Sequence, residues 1–69
     1  MNLLQLERIV MVAKSGNITD VAKKLYISQP ALSQTIAIVE EEVGATLFDR
    51  RAQPIKLTPE GECFLRAAR

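Results

Sequence analysis

Pro30, Ser33, Gln34 and Ala37 fall on one side of a helical stretch, small and polar, with Gln29 and Ala31 beside them. Lysine and glutamate usually solvate an exposed helix face, so a short, uncharged, hydrogen-bonding surface asks for a partner. Glutamine can pair bidentately with an adenine edge, and an alanine or a proline ring can meet a thymine methyl. Ser28, Asn17 and Thr19 have the side chains of helix caps, and a helix start can also sit against a phosphate. Arg50, Arg51 and Lys56, with Gln53 between them, bring cationic and polar groups suited to a phosphate backbone.

Other chemistry is excluded by what is missing. The chain has no histidine and one cysteine, Cys63. It therefore cannot form a His-containing triad, an intramolecular disulfide or an ordinary Cys/His zinc site. No metal, cofactor or catalytic activity is expected. Its 69 residues allow one small domain and exclude most self-contained enzymes. A composition of 48% hydrophobic residues suits a core. A chain this short buries only about 60% of its unfolded surface, so its stability is marginal.

The longest uninterrupted apolar run, Ile9 to Ala13, is far short of the ~20 residues of a membrane span. The N-terminus lacks the basic region and apolar stretch of a signal peptide. A cytoplasmic location with no membrane partner is the expectation. Nine Lys+Arg against eight Asp+Glu give a net charge of +1, which taken alone argues mildly against a nucleic-acid partner. That total hides a partition. Three acids stand together at Glu40, Glu41 and Glu42, whereas residues 50–57 hold three cations and no acid.

The elements that must position these groups follow from spacing. Leu3, Leu6, Ile9, Val10 and Ala13 mark an amphipathic first helix, ended by Gly16. Asn17 caps a short second helix with Ile18, Val21, Ala22 and Leu25 on one face, and Asp20 is placed to return a bond as in a capping box. Tyr26 and Ile27 form a connector. Ser28 caps the third helix, Pro30 sits in its first turn and Gly44 closes it. Leu32, Ile36, Val39 and Val43 form its buried stripe, and the three glutamates read as its solvated end. Leu47–Arg50 and Ile55–Leu57 read as the strands of a hairpin. Thr58, Pro59 and Glu60 start a fourth helix with an apolar stripe of Gly61, Phe64, Leu65 and Ala68. Glu62 precedes Arg66 by four, which suits an ion pair, and Cys63 reads as a small residue near a helix interface.

Two helices joined by a three- or four-residue turn, the second presenting small polar side chains, form the helix-turn-helix pattern, here from Ile18 to about Ala37. A helix entering a major groove about 12 Å wide cannot be bulky in its first turns. Gln29, Pro30, Ala31, Ser33 and Gln34 are the base-facing candidates. Asn17, Thr19, Ser28, Arg50, Arg51, Gln53 and Lys56 are the phosphate and wing candidates, with Arg50 also able to bridge hairpin and helices. The hairpin would be a wing against phosphates or a minor groove.

At these residues the chain resembles the N-terminal domain of the LysR-type transcriptional regulators. The likeness runs through Leu6-x-x-Ile9, Gly16-Asn17-Ile18-Thr19, Ala22-x-x-Leu25, Ile27-Ser28-Gln29-Pro30-Ala31-Leu32-Ser33, Ile36, Val39-Glu40-x-x-Val43-Gly44, Leu47-Phe48-Asp49-Arg50 and Leu57-Thr58-x-x-Gly61. The resemblance implies a mainly α fold: a winged helix-turn-helix over residues 1–57, with a three-helix core and two-stranded wing. It also implies the start of a dimerising linker helix over 58–69, and an effector domain, absent from this chain, that binds a small-molecule inducer. The implied partners are double-stranded DNA carrying an interrupted palindrome and a second copy, paired through Phe64, Leu65 and Ala68, with higher oligomers in the intact protein.

The chain departs from the family where Arg often matches Gln34 and Ala37 and is frequent near Ile38, and at Asp20, usually basic or neutral. Fewer cations there imply weaker phosphate contact. Val21 replaces a usual alanine and Ile9 a usual phenylalanine, which implies compensating volumes in the core. The alternative reading is a winged-helix protein-interaction module whose third helix receives another polypeptide, supported by the even charge balance. Convergence of Arg50, Arg51, Lys56, Lys23 and Lys24 around the start of the third helix would favour DNA.

Overall fold

Side-chain oxygens capping free backbone N–H groups set the helix starts. Asn2 opens α1 (Leu3–Ser15) with a complete capping box, its side chain accepting from the Gln5 amide and the Gln5 side chain accepting from its own. Asn17 opens α2 (Ile18–Lys24) by accepting from the Asp20 amide at 3.1 Å. The reciprocal bond from Asp20 is not made; its side chain is one methylene shorter than the glutamate of a full box. Ser28 opens α3 (Gln29–Val43) by accepting from the Ala31 amide. Thr58 opens α4 (Pro59–Ala68) by accepting from Gly61 N–H at 3.0 Å. The computed structural model describes the backbone of residues 1–68 and the side chains of residues 1–67. None of the described helices is long and apolar enough to cross a membrane.

The core is assembled from one face of each helix. Ile9 and Val12 come from α1, Ile18, Val21 and Ala22 from α2, and Leu32, Ile36 and Val39 from α3; Leu47, Phe48 of the first wing strand and Leu65 of the last helix complete it. Ile9 and Val21, the two apolar replacements expected in the core, are both fully enclosed in this one cluster. Val12 joins the core although it stands outside the expected stripe of α1, and Leu3 stays 70% exposed. Val43, the expected end of the α3 stripe, is 41% exposed. Its phase is right, but the whole last turn from Glu41 to Gly44 is exposed.

Strands β1 (Phe48–Asp49) and β2 (Lys56–Leu57) pair antiparallel, Phe48 opposite Leu57 and Asp49 opposite Lys56. They are shorter than the expected Leu47–Arg50 and Ile55–Leu57, because flanking amides bond elsewhere. Leu47 N–H donates to the Glu40 carboxylate and Ile55 N–H to the Gly16 carbonyl. Glu40 is thus a half-buried anchor rather than part of a solvated end, and Glu42 pairs with the N-terminal ammonium. Glu62 and Arg66 make no ion pair, both lying exposed, and Cys63 is exposed rather than at a helix interface.

Gly16 joins the helices to the wing. Its φ of +71° lies in the left-handed region, and a Cβ there would come within 2.8 Å of Pro54 Cβ. Gly16→Ala should therefore cost at least about 1–2 kcal/mol for the left-handed backbone alone. The expected result is a lower urea midpoint at unchanged slope; an unchanged midpoint would show that neither the left-handed backbone nor the Pro54 contact constrains this position.

Candidate nucleic-acid interface

The turn between α2 and α3 fixes how the two helices present their side chains. Tyr26 N–H donates to the Lys23 carbonyl and Ile27 N–H to the Ala22 carbonyl, the paired bonds of a Schellman ending, with Tyr26 at φ +58° where glycine is usual. The Tyr26 side chain is 96% exposed. Two residues later Ser28 caps α3, whose first turn lies beside Arg50 and Gln53 of the wing.

Along α3 the residues Gln29, Pro30, Ala31, Gln34 and Ala37 are exposed. Gln29 and Gln34 are separated by about 7.5 Å along the axis at 1.5 Å per residue, a little over two base-pair steps of about 3.4 Å. Ser33 is half-buried and accepts from Gln29 Nε2 at 3.1 Å. This bond orients the Gln29 amide and leaves its carbonyl oxygen and second N–H free to meet a ligand edge. Ser28 is first a cap, its hydroxyl engaged with the Ala31 amide.

One cleft gathers residues from three places in the chain. Asn17 and Thr19 at the start of α2, Gln29 at the start of α3, and Arg50 and Gln53 of the wing line it together, floored by Gly16, Ile18 and Ile55. Gly16 and Ile55 are tied by the Ile55 N–H to Gly16 carbonyl bond of 3.0 Å, which holds the wing against the helices. Arg50 is exposed and makes neither a hydrogen bond nor an ion pair among the described residues, so it does not bridge hairpin and helices by polar contact.

Arg51 and Lys56 lie outside this cleft. Arg51 Nε approaches Asp49 Oδ1 at 3.4 Å, an exposed pair of little energetic weight that leaves the cation able to exchange partners. Lys56 is exposed opposite Asp49 in the hairpin. Lys24 lines a different cleft with Lys14 and Ser15, so the expected convergence of all five cations on the start of α3 is partial, carried by Arg50. On α4, Leu65 packs into this chain's own core at 4% exposure, while Phe64 is half-buried; the Ala68 side chain lies outside the described residues.

Residues 3–62 match the family described as bacterial regulatory helix-turn-helix protein, lysR family. The chain belongs to this family. Among curated relatives, the HTH-type transcriptional regulator TfdS of Cupriavidus pinatubonensis is 41% identical over 69 residues, covering all of this chain and 23% of that protein. Among solved structures, a BenM_DBD/catB site 1 DNA complex superposes with a TM-score of 0.90 at 43% identity, covering 99% of this chain and 73% of that one. Full-length CbnR complexed with its target DNA gives 0.86 at 35% identity, covering 99% of this chain and 24% of that one. This LysR-family chain thus spans about a quarter of its curated relatives' length, 23% for TfdS. Its four helices and two-stranded wing are the winged helix-turn-helix that the resemblance implies.

Sequence reasoning missed several residues of this LysR-family chain that hold the site in place. Glu40 anchors β1, the Gly16 carbonyl anchors Ile55, and Gly61 makes room for the Leu47 carbonyl. A signal for Glu40 was available: it stands four residues after Ile36 and next to Val39, at the margin of the buried stripe, whereas a solvated acid belongs on the opposite side.

Proposed function

We propose that this chain is the sequence-specific DNA-binding domain of a bacterial LysR-type transcription regulator. Residues 1–57 form the DNA-binding unit and residues 58–69 begin a dimerising linker helix. The observation that carries this reading is the cleft in which Gln29 of α3 meets Arg50 and Gln53 of the wing and Asn17 and Thr19 of α2. In this reading α3 enters the major groove with Gln29, Pro30, Ala31, Ser33 and Gln34 leading. Asn17, Thr19, Ser28, Arg50, Arg51, Gln53 and Lys56 hold phosphates on either side or reach the minor groove.

Neutral amides suit this division of labour. Glutamine recognises an adenine edge through two hydrogen bonds, and α3 itself carries no cation, so the phosphate contacts fall to the elements around it. Likeness to domains solved as DNA complexes supports the same assignment. Two copies joined through the linker helix, with the half-buried Phe64 as the part of its apolar side not enclosed in the core, would set two recognition helices about 34 Å apart and so read an interrupted palindrome. Higher assembly, an inducer bound by an effector domain, a cytoplasmic location and the lack of catalysis belong to the proposal for the whole regulator.

Selection of bound duplexes from a random pool by a dimerised form of the chain tests this reading. The expected outcome is a two-fold symmetric motif whose half-sites lie about one helical turn apart. A pool that never departs from random composition would contradict it.

A further inference from the structure

Three acids end α3, where the helix dipole disfavours negative charge and no basic residue compensates it. Glu42 is paired with the N-terminal ammonium and Glu41 is exposed. Glu40 does something different. Its Oε2 accepts from the backbone N–H of Leu47 at 2.7 Å and of Phe48 at 3.4 Å. These are charge-assisted bonds to the first residues of the wing.

The same short segment is gripped from the other side. The carbonyl of Leu47 accepts from Thr58 N–H at 2.9 Å, and the Thr58 hydroxyl donates to the Thr46 carbonyl while accepting from Gly61 N–H. The approach is so close that a Cβ on Gly61 would come within 2.2 Å of the Leu47 oxygen. Residues 46–48 are therefore clamped between α3, through one carboxylate, and the start of α4. The far end of the wing is held separately, by the bond from Ile55 to Gly16.

We infer that Glu40 is a positioning residue that couples three parts of the DNA-binding surface: the recognition helix, the wing and the linker helix. The inference rests on the DNA-binding reading above. The carboxylate touches no DNA; it sets where the wing cations lie relative to α3, and through Leu47 and Thr58 it sets the direction in which α4 leaves the domain. A strand advances about 3.3 Å per residue, so a small rotation at Phe48 grows along β1 toward Arg50 and Arg51, while the returning strand stays tied at Ile55.

Glu40→Ala and Glu40→Gln in the chain separate the outcomes. Glu40→Ala should speed amide exchange at Leu47 and Phe48. It should also weaken binding to the selected duplex about tenfold, the equivalent of one hydrogen bond to a charged group. The log–log salt slope should become shallower by about 0.9 for each phosphate that the wing no longer reaches, with the preference of Gln29 for its base pair kept. Glu40→Gln retains a carbonyl acceptor and should restore most of the affinity and slope. Unchanged exchange at Leu47 and Phe48 in Glu40→Ala would overturn the clamp whether or not DNA binds. An unchanged salt slope, or a glutamine variant as weak as alanine, would overturn the coupling to the wing. A wild-type chain that binds no duplex, with the amides still responding, would sink the DNA-binding reading on which the coupling depends and leave the clamp standing.

Discussion

Ile36→Ala should strongly destabilise the chain, seen as a large drop in the midpoint of its cooperative far-UV transition. Ile36 lies at the centre of α3 with no solvent exposure, in one cluster with residues of α1, α2 and the wing. Truncating a buried isoleucine to alanine typically costs about 2–5 kcal/mol, the sum of lost transfer energy and the cavity left behind. A chain of this size has only about 3–10 kcal/mol in total at the usual stability per residue. The variant would therefore lose a large share of its stability. Ile36→Val, which removes one methylene, should cost about 0.5–1.5 kcal/mol and stay folded. A cooperative Ile36→Ala transition close to wild type would mean that the core does not depend on α3 as its central element.

Gln29→Ala should cost about 1–3 kcal/mol on the preferred duplex and relax discrimination at one base pair. The side chain is exposed at the first position of α3, lines the cleft with Arg50 and Gln53, and is oriented by its bond to Ser33. Removing it takes away a bidentate amide while leaving the core untouched, since nothing buried depends on it. Competition against duplexes changed one pair at a time measures the effect. An equal loss on every sequence would place Gln29 against the backbone instead of a base edge.

The four helices were legible because each announces itself twice, by an apolar period and by a cap. Asn17, Ser28 and Thr58 occupy the cap positions expected of them, and Gly16 and Gly44 end α1 and α3 in the left-handed region. Periodicity tells which side of a helix faces inward, but not how far along the axis its neighbours reach. Val43 shows the difference: correct in phase, exposed in place. The strands were overextended for a related reason. Leu47 and Ile55 open the two short segments that read as strands, but their amides are taken by Glu40 and Gly16, partners remote in sequence that no local pattern reveals.

The interface candidates divide in the same way. Gln29, Arg50, Gln53, Asn17 and Thr19 share a cleft. Leu65 turns inward to join Leu47 and Phe48 in the core cluster, which the stripe on α4 alone could not disclose. The charge balance is the clearest case of an average concealing an arrangement. A net charge of +1 includes three acids of α3, two of them already engaged with the Leu47 amide and the N-terminal ammonium. The wing cations stand apart from them in the sequence, and Arg50 faces the cleft.

The most direct test is the salt dependence of duplex binding by the dimerised chain, followed by anisotropy for wild type and Arg51→Ala on a selected and a scrambled duplex. If the wing holds phosphates while α3 reads bases, log affinity should fall linearly with log salt at about −0.9 per phosphate neutralised. Arg51→Ala should make that slope shallower by about 1 on both duplexes, and the ratio between them should stay the same. Binding that ignores salt, or no binding to any duplex, would contradict this and point to a polypeptide as the partner of α3.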